Sequence, residues 1–520
     1  MSGLVLIAVL GVTVLIGTTL GGRYSVAPPV LLISMGALLG LLPPFRHVVL
    51  EPDVVLLLFL PPILYRESLV ISLREIRANF RTIALLAVAL VVLTTVAVSY
   101  AAQALGVEPA AAWVLGAVLA PTDAAAVAGL AKRMPRGILT TLRAESLIND
   151  GTALVLFSVA VGVIAGGALP SAPGLLGGFV GSAAGGIAAG LLVGGAVILI
   201  RTHIDDPMRE GGLSILTPFV AFLLAETVHA SGVLAVVVAG LLLSYAGPRV
   251  IRARSRITAF AFWDLSTFMI NGSLFVLLGM QVPRSLRSIT SHSPTQSLSI
   301  AAAVTAVVVV TRLGWLHLAL PALQRFDRRA RQFDWRVRTA AGWAGFRGAV
   351  SLAAALAVPV ATSAGTPVRE RDLIIFVTVT VIVLTMLIQG TTLPAVVTWA
   401  RLMGDEERAD EVRTARIRAT EAGLAALPEV AAELGASQDA VDRLRSDYQE
   451  HLDDVRSPED HQTAEERETA RRLRLRLLEH KRREITRLRD SNEIDDAVQR
   501  EVQAAIDIEE IRLLGPTTED

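Results

Sequence analysis

The chain has 520 residues, is 52% hydrophobic and 18% charged, and has a mean hydropathy of +0.55. These values describe a polytopic membrane protein with a soluble part and exclude an ordinary globular enzyme. The net charge of zero hides an asymmetry: residues 401–520 hold 20 basic and 31 acidic residues, while residues 1–400 hold 28 and 17. There is no cysteine, which excludes disulfides, thiol catalysis and cysteine-based metal sites.

The N-terminal segment MSGLVLIAVLGVTVLIGTTLGGR has no basic n-region and no cleavage site, so it reads as a retained first helix. Apolar windows of about 17–25 residues then recur between charged or Pro/Gly-rich breaks. Thirteen are expected, at 3–20, 26–42, 53–72, 82–105, 111–131, 138–165, 174–200, 212–229, 231–246, 259–281, 298–322, 338–360 and 371–400. The eighth and ninth are parted only by His229-Ala-Ser-Gly232. With the N-terminus outside, the inner loops carry 21 Arg and Lys and the outer loops 5. That split supports the orientation and places the C-terminal region in the cytoplasm.

Apolar periodicity stops near Trp399–Arg401, giving an expected membrane domain over 1–400 and a cytoplasmic helical tail over 401–520. The tail reads as helix with a break at Arg456-Ser457-Pro458, and residues 465–489 place Glu and Arg at i,i+4 spacing. A solvated helix or helical pair explains that spacing, with a regulatory or dimer-contacting role as the alternative.

Two spans carry charge where hydrocarbon is expected. LAPTDAAAVAGL, residues 119–130, holds Thr122 and Asp123; RAESLINDGTALVLF, residues 143–157, holds Glu145, Ser146, Asn149 and Asp150. An ionisable group at membrane depth costs at least ~2.5–3.5 kcal/mol, so it persists only when paired, hydrated or functional. Pro121 removes a backbone donor and disfavours helix at Ala120, which frees carbonyls beside any cavity. Ser146 and Asp150 are i,i+4 and share one helix face; Glu145 and Asn149 share the neighbouring face. A hydroxyl over a carboxylate is a set of hard oxygen ligands suited to an alkali cation. Such a carboxylate holds a proton or a cation but not both well, and that competition suffices for exchange.

Glu145 needs a permanent partner, and Arg312 in VVVVTRLGWLHL is the candidate for a structural ion pair. Arg347, in the Gly345-Phe346-Arg347-Gly348 break of the twelfth span, either offsets carbonyl ends of half-helices or pairs with Asp123. The fifth and twelfth spans run in opposite senses, as in transporters built from inverted repeats with interrupted helices. Glu226 and His229 lie i,i+3 on one face, with His229 a capping or packing histidine or, as the alternative, a pH sensor; Asp264 and Asn271 read as interhelical hydrogen-bonding groups and the small-residue run 177–195 as a packing surface. No filter-like motif suggests a channel, and the eight histidines show no ligand spacing.

At these residues the chain resembles the monovalent cation/proton antiporters, the group of the NhaP-type bacterial and archaeal antiporters and the animal sodium/proton exchangers. The matching strings are FLPPILYRESL (59–69), LAPTDAAAV (119–127), ESLINDGTALVLF (145–157), AETVHASGVLAVVVAGL (225–241), VVTRLGW (309–315) and GFRGAVSL (345–352). The resemblance covers residues 25–400. It implies a homodimer of all-α, thirteen-helix protomers with crossing interrupted fifth and twelfth helices. It implies Asp150 as the transporting carboxylate, with Thr122, Asp123, Ser146 and Asn149 lining the ion site, and Glu145–Arg312 as a core ion pair. Asn149 before Asp150 resembles the electroneutral branch. One departure stands out: many members carry an acid where this chain has Arg66, and here the acid is Glu67. A one-residue shift turns a helical side chain by about 100°, so Glu67 is not expected in the ion site.

The expectation is therefore a transporter rather than an enzyme, with no cofactor and no nucleic-acid partner. It is an inner-membrane sodium/proton antiporter for pH and sodium homeostasis, working by alternating access at a shared carboxylate. Its partners are Na+ (or K+, Li+), H+ and the lipid bilayer, with Asp150, Asp123, Ser146 and Thr122 as cation ligands. Potassium/proton exchange is the rival within the class; a channel or membrane sensor is the rival outside it.

Overall fold

In hydrocarbon a backbone must satisfy its own hydrogen bonds, so each long apolar run becomes a helix. The computed structural model describes all residues except 1–2, 25, 47, 49–50, 53, 72, 124–133, 135, 166–171, 205, 325–333, 403–405, 457–460, 492, 494–495 and 515–520. Among the described residues there is no strand, only an isolated bridge between Ala361 and Pro367.

The helices are α1 (Gly3–Tyr24), α2 (Pro28–Leu41), α3 (Leu60–Val70), α4 (Leu73–Ala84), α5 (Leu90–Ala104), α6 (Pro109–Leu119), α7 (Arg136–Ile164), α8 (Ala172–Arg201), α9 (Pro207–Thr227) and α10 (Gly232–Val250). They continue with α11 (Ala253–Ser288), α12 (Pro294–Gln324), α13 (Trp335–Trp343), α14 (Ala349–Ala357) and α15 (Arg371–Trp399). Short π-helical stretches, Val54–Phe59 and Leu85–Ala89, lead into α3 and α5. Among the described residues eight helices are long and apolar enough to cross a membrane; the apolar helices Pro28–Leu41, Pro109–Leu119 and Gly232–Gly247 are shorter.

The chain divides into two compact units, Met1–Gly404 and Asp405–Asp520. Within the first, α2 runs along α11, and the contact is closed by glycine. A Cβ on Gly36 would strike the Val276 backbone, and one on Gly279 would strike the Ile33 carbonyl. The small-residue run of α8 packs in the same manner on α10, with Gly186 and Gly190 against the carbonyls of Ser231 and Ala235. Close backbone approach through small residues is the usual means by which helices associate in lipid. His229 lies in the turn between α9 and α10 in a left-handed conformation (φ 55°) and is exposed, which fits a helix-end role.

One helix is broken, and another stops at a proline. The twelfth expected span appears as α13 and α14, separated by Ala344–Gly348, where Gly348 is extended (φ −144°, ψ −148°). The fifth ends as helix at Leu119 and is extended from Pro121 to Asp123; its second half, 124–133, lies outside the described residues. Ala120 keeps helical dihedrals (φ −67°, ψ −43°) although a proline follows. The break falls one residue later than proline sterics alone suggest, because tertiary bonds hold its two sides, as described below.

The second unit consists of α16 (Glu406–Leu434), α17 (Gln438–Arg456), α18 (His461–Asp490) and α19 (Asp496–Leu514). These pack as two antiparallel pairs. Arg456 bridges to Glu421 in the first, and Arg482 bridges to Asp507 and Glu510 in the second. Lys481 adds a bond to Glu509 at 3.1 Å.

Candidate ion site

The site forms where the end of α6 meets the break between α13 and α14. The Asp123 amide donates to the Phe346 carbonyl at 2.9 Å, joining the extended segments backbone to backbone. Arg347, buried, donates through Nε to the Leu119 carbonyl at 3.0 Å and through Nη1 to the Gly345 carbonyl at 2.5 Å. Of the two roles open to Arg347, the geometry selects the first: its guanidinium covers the carbonyl end of α6, where the helix dipole is negative. A Cβ on Gly348 would land on the Asp123 side chain, so only glycine lets Asp123 close onto the start of α14.

On α7 the two faces separate as the i,i+4 spacing requires. Glu145 turns away from the cavity and pairs with Arg312 of α12, through Nη1–Oε1 at 2.5 Å and Nη2–Oε2 at 3.1 Å. Both side chains are about fully buried, at 1% and 2% exposure. Asn149 donates to the Thr122 hydroxyl at 2.8 Å, and that hydroxyl approaches Glu145 Oε1 at 3.4 Å. The neighbouring face carries Ser146 and Asp150. Ser146 donates to the Thr122 carbonyl at 2.9 Å, one of the carbonyls released by the break.

A cavity of about 40 Å³ lies here, large enough for a small cation with a few waters. Asp150, Asp123, Ser146 and Thr122 line it, together with Pro121, Asn271 and Ser351. Asn149 is not part of the lining; it stands behind Thr122 and holds it.

Two expectations change: Asn149, expected in the lining, bonds Thr122 from behind it, and Glu67 was not expected at the site. Glu67 lines the cavity as a third carboxylate, close enough to Asp150 and Asp123 to act on both electrostatically. Arg66 and Glu67 are neighbours in α3 and point apart as a turn of about 100° per residue requires: Glu67 takes the cavity side while Arg66 turns to Asp264. Asp264 makes the kind of interhelical bond expected of it, Arg66 Nε of α3 donating to its Oδ1 at 2.6 Å over the Phe260 ring, while Asn271 lines the cavity. The intramembrane position of Glu67 next to the Leu-Pro-Pro string was the signal available for it in the sequence.

Three carboxylates and a hydroxyl around a small cavity, where the end of α6 meets the break between α13 and α14 in a multi-pass helical protein, define a secondary ion transporter. The comparisons agree. Residues 10–399 match the family described as sodium/hydrogen exchanger, transmembrane, and the chain belongs to that family, whose members are transporters and not enzymes. An uncharacterized Na+/H+ exchanger of Mycobacterium tuberculosis is 53% identical over 524 residues, covering 99% of this chain and 97% of that protein. The low-affinity Na+/H+ antiporter NhaS1 of Synechocystis is 32% identical over 363 residues, covering 69% of this chain and 66% of that protein. The fold is similar to the sodium proton antiporter MjNhaP1 of Methanocaldococcus jannaschii, with a TM-score of 0.58 at 21% identity, over 76% of this chain and 99% of that one.

Proposed function

We propose that this protein is a sodium/proton antiporter that exchanges cytoplasmic Na+ for external H+ by alternating access at one shared carboxylate site. The observation that carries the reading is the convergence of Asp150, Asp123, Glu67 and Ser146 on a single cavity. Carboxylates so placed repel one another in low dielectric. Either a bound cation or a bound proton relieves the repulsion, so the two ligands compete. A site that binds them exclusively, and faces one side of the membrane at a time, couples their opposed fluxes. Asp150 carries the exchanged ion. Asp123, Ser146 and Glu67 complete the oxygen shell, the Thr122 backbone carbonyl contributes to it, and Asn149 positions Thr122. Glu145–Arg312 and Arg347 hold the scaffold.

In a bacterial cell this activity belongs in the plasma membrane, where it uses the proton gradient to expel sodium and regulate internal pH. The loop charge asymmetry favours a cytoplasmic tail at residues 405–520. A homodimer is the proposed assembly, and one proton per sodium the proposed stoichiometry.

The test is sodium-driven pH change in proteoliposomes, comparing wild type with Asp150→Asn. Saturable proton movement that needs sodium and disappears in Asp150→Asn supports the proposal. Proton movement that persists in the variant, or none in the wild type with any alkali cation, removes it.

A further inference from the structure

Hydroxyls inside the helices of this protein mostly donate to a carbonyl one turn back. Thr95 donates to Val91 at 2.9 Å, Ser99 to Thr95 at 2.7 Å and Thr305 to Ala301 at 2.7 Å. That habit disposes of the hydroxyl proton without any partner outside the helix. Ser351 departs from it. It is the third residue of α14, so the residue four positions back is Arg347, inside the extended break rather than in a preceding helical turn. Ser351 is 1% exposed, and its hydroxyl has no hydrogen-bond partner among the described residues.

A buried hydroxyl without a partner costs about 1–3 kcal/mol and is rarely kept without a reason. Among the described residues, Ser255, Ser297 and Thr378 also bury an unpartnered hydroxyl. Of these four, only Ser351 lines the cavity that holds Asp150, Asp123 and Glu67. Ser351 belongs to α14, whereas Ser146 belongs to α7 and Glu67 to α3. It therefore adds a neutral oxygen from a fourth segment, beside the Thr122–Asp123 break.

We infer that the Ser351 hydroxyl is a further cation ligand of this cavity, and that it tunes which alkali cation is preferred. The inference rests on the exchange function proposed above. A hydroxyl gives a lone pair to the cation and its proton to a carboxylate or to water, so it is satisfied whenever the site is loaded. Ion–dipole attraction grows as the ion–oxygen distance shortens. Removal of this oxygen therefore weakens binding of Li+ and Na+ more than binding of K+.

The experiment measures exchange in proteoliposomes with Li+, Na+ and K+ for wild type, Ser351→Ala and Ser351→Thr. Ser351→Ala is expected to raise KM for Na+ by about fivefold to tenfold, the loss of one such ligand. The maximal rate stays within about twofold, and the KM ratio of Na+ to K+ rises by about threefold or more. Ser351→Thr, which keeps the oxygen, is expected to keep the wild-type ratio. A purely structural role would lower the maximal rate for every cation equally and leave the ratio unchanged. Wild-type KM values and ratio in Ser351→Ala overturn the inference. So does a Ser351→Thr variant whose cation ratio shifts as far as that of Ser351→Ala. Absence of exchange in the wild type would instead defeat the proposed function, so the two failures are distinct.

Discussion

Arg312→Ala leaves the Glu145 carboxylate in a dry site without its partner. The native pair is bidentate at 2.5 and 3.1 Å, with both side chains at 2% exposure or less. What remains near Glu145 is the Thr122 hydroxyl at 3.4 Å and the field of the Arg347 guanidinium, neither of which replaces a bidentate partner. Removing one member of a buried pair costs about 3–5 kcal/mol, whereas removing both for apolar residues of similar volume is close to neutral. The pair therefore makes a strong cycle. Arg312→Met alone and Glu145→Leu alone should each destabilise by about 3–5 kcal/mol, and the double variant by about 2 kcal/mol or less. The assay is reversible unfolding of the purified protein by SDS in mixed micelles, followed by near-ultraviolet circular dichroism. Single variants that each lose under about 1 kcal/mol, or a double variant that loses the sum of the two, would refute the claim that this pair is a coupled element of the core.

Gly348→Ala places a methyl on the Asp123 side chain; it should insert and remain folded but lose most exchange, and wild-type rates in proteoliposomes would contradict this close approach. Asp264→Ala removes the carboxylate that binds the buried Arg66. With Asp264 40% exposed, the expected loss of about 1–2 kcal/mol in SDS unfolding lies between surface and buried pair values. In the tail, the Arg487 guanidinium bonded to Glu484 holds that carboxyl below its usual value near 4.5. A lowered acid contributes stability that is present above its unfolded pKa and lost as pH falls through the folded one. Amide protection around residues 480–490 should thus be flat from pH 8 to pH 5 and fall below about pH 4.5; loss at pH 6–7 would count against this.

The long apolar runs were legible because hydrocarbon leaves the backbone few options, and among the described residues the windows fall on helices, on helices with a π-helical lead or, for the twelfth, on the α13–α14 pair; the second half of the fifth lies outside the described residues. The breaks were legible too, since Pro121 and the Gly345–Gly348 string interrupt otherwise helical patterns. On α7 a spacing of four separated Ser146 and Asp150 from Glu145 and Asn149, and the structure divides these four in that way. Glu67 was legible only as an intramembrane acid beside the Leu-Pro-Pro string; which of residues 66 and 67 meets the cavity is set by how α3 packs, with Arg66 turned to Asp264. Arg347 was ambiguous for a related reason: whether its guanidinium meets a carboxylate or the Leu119 carbonyl is a matter of tertiary distance. Ser351 gave no signal at all, since its importance lies in a hydrogen bond it does not make.

The central claim is that sodium and a proton exclude one another at one site. It is tested most directly by adding NaCl to purified protein in weakly buffered detergent solution near neutral pH, while the proton release is recorded beside heat of binding. The account predicts saturable release of about one proton per sodium bound, lost in Asp150→Asn. Sodium that binds with the same affinity across pH and releases no proton would contradict it.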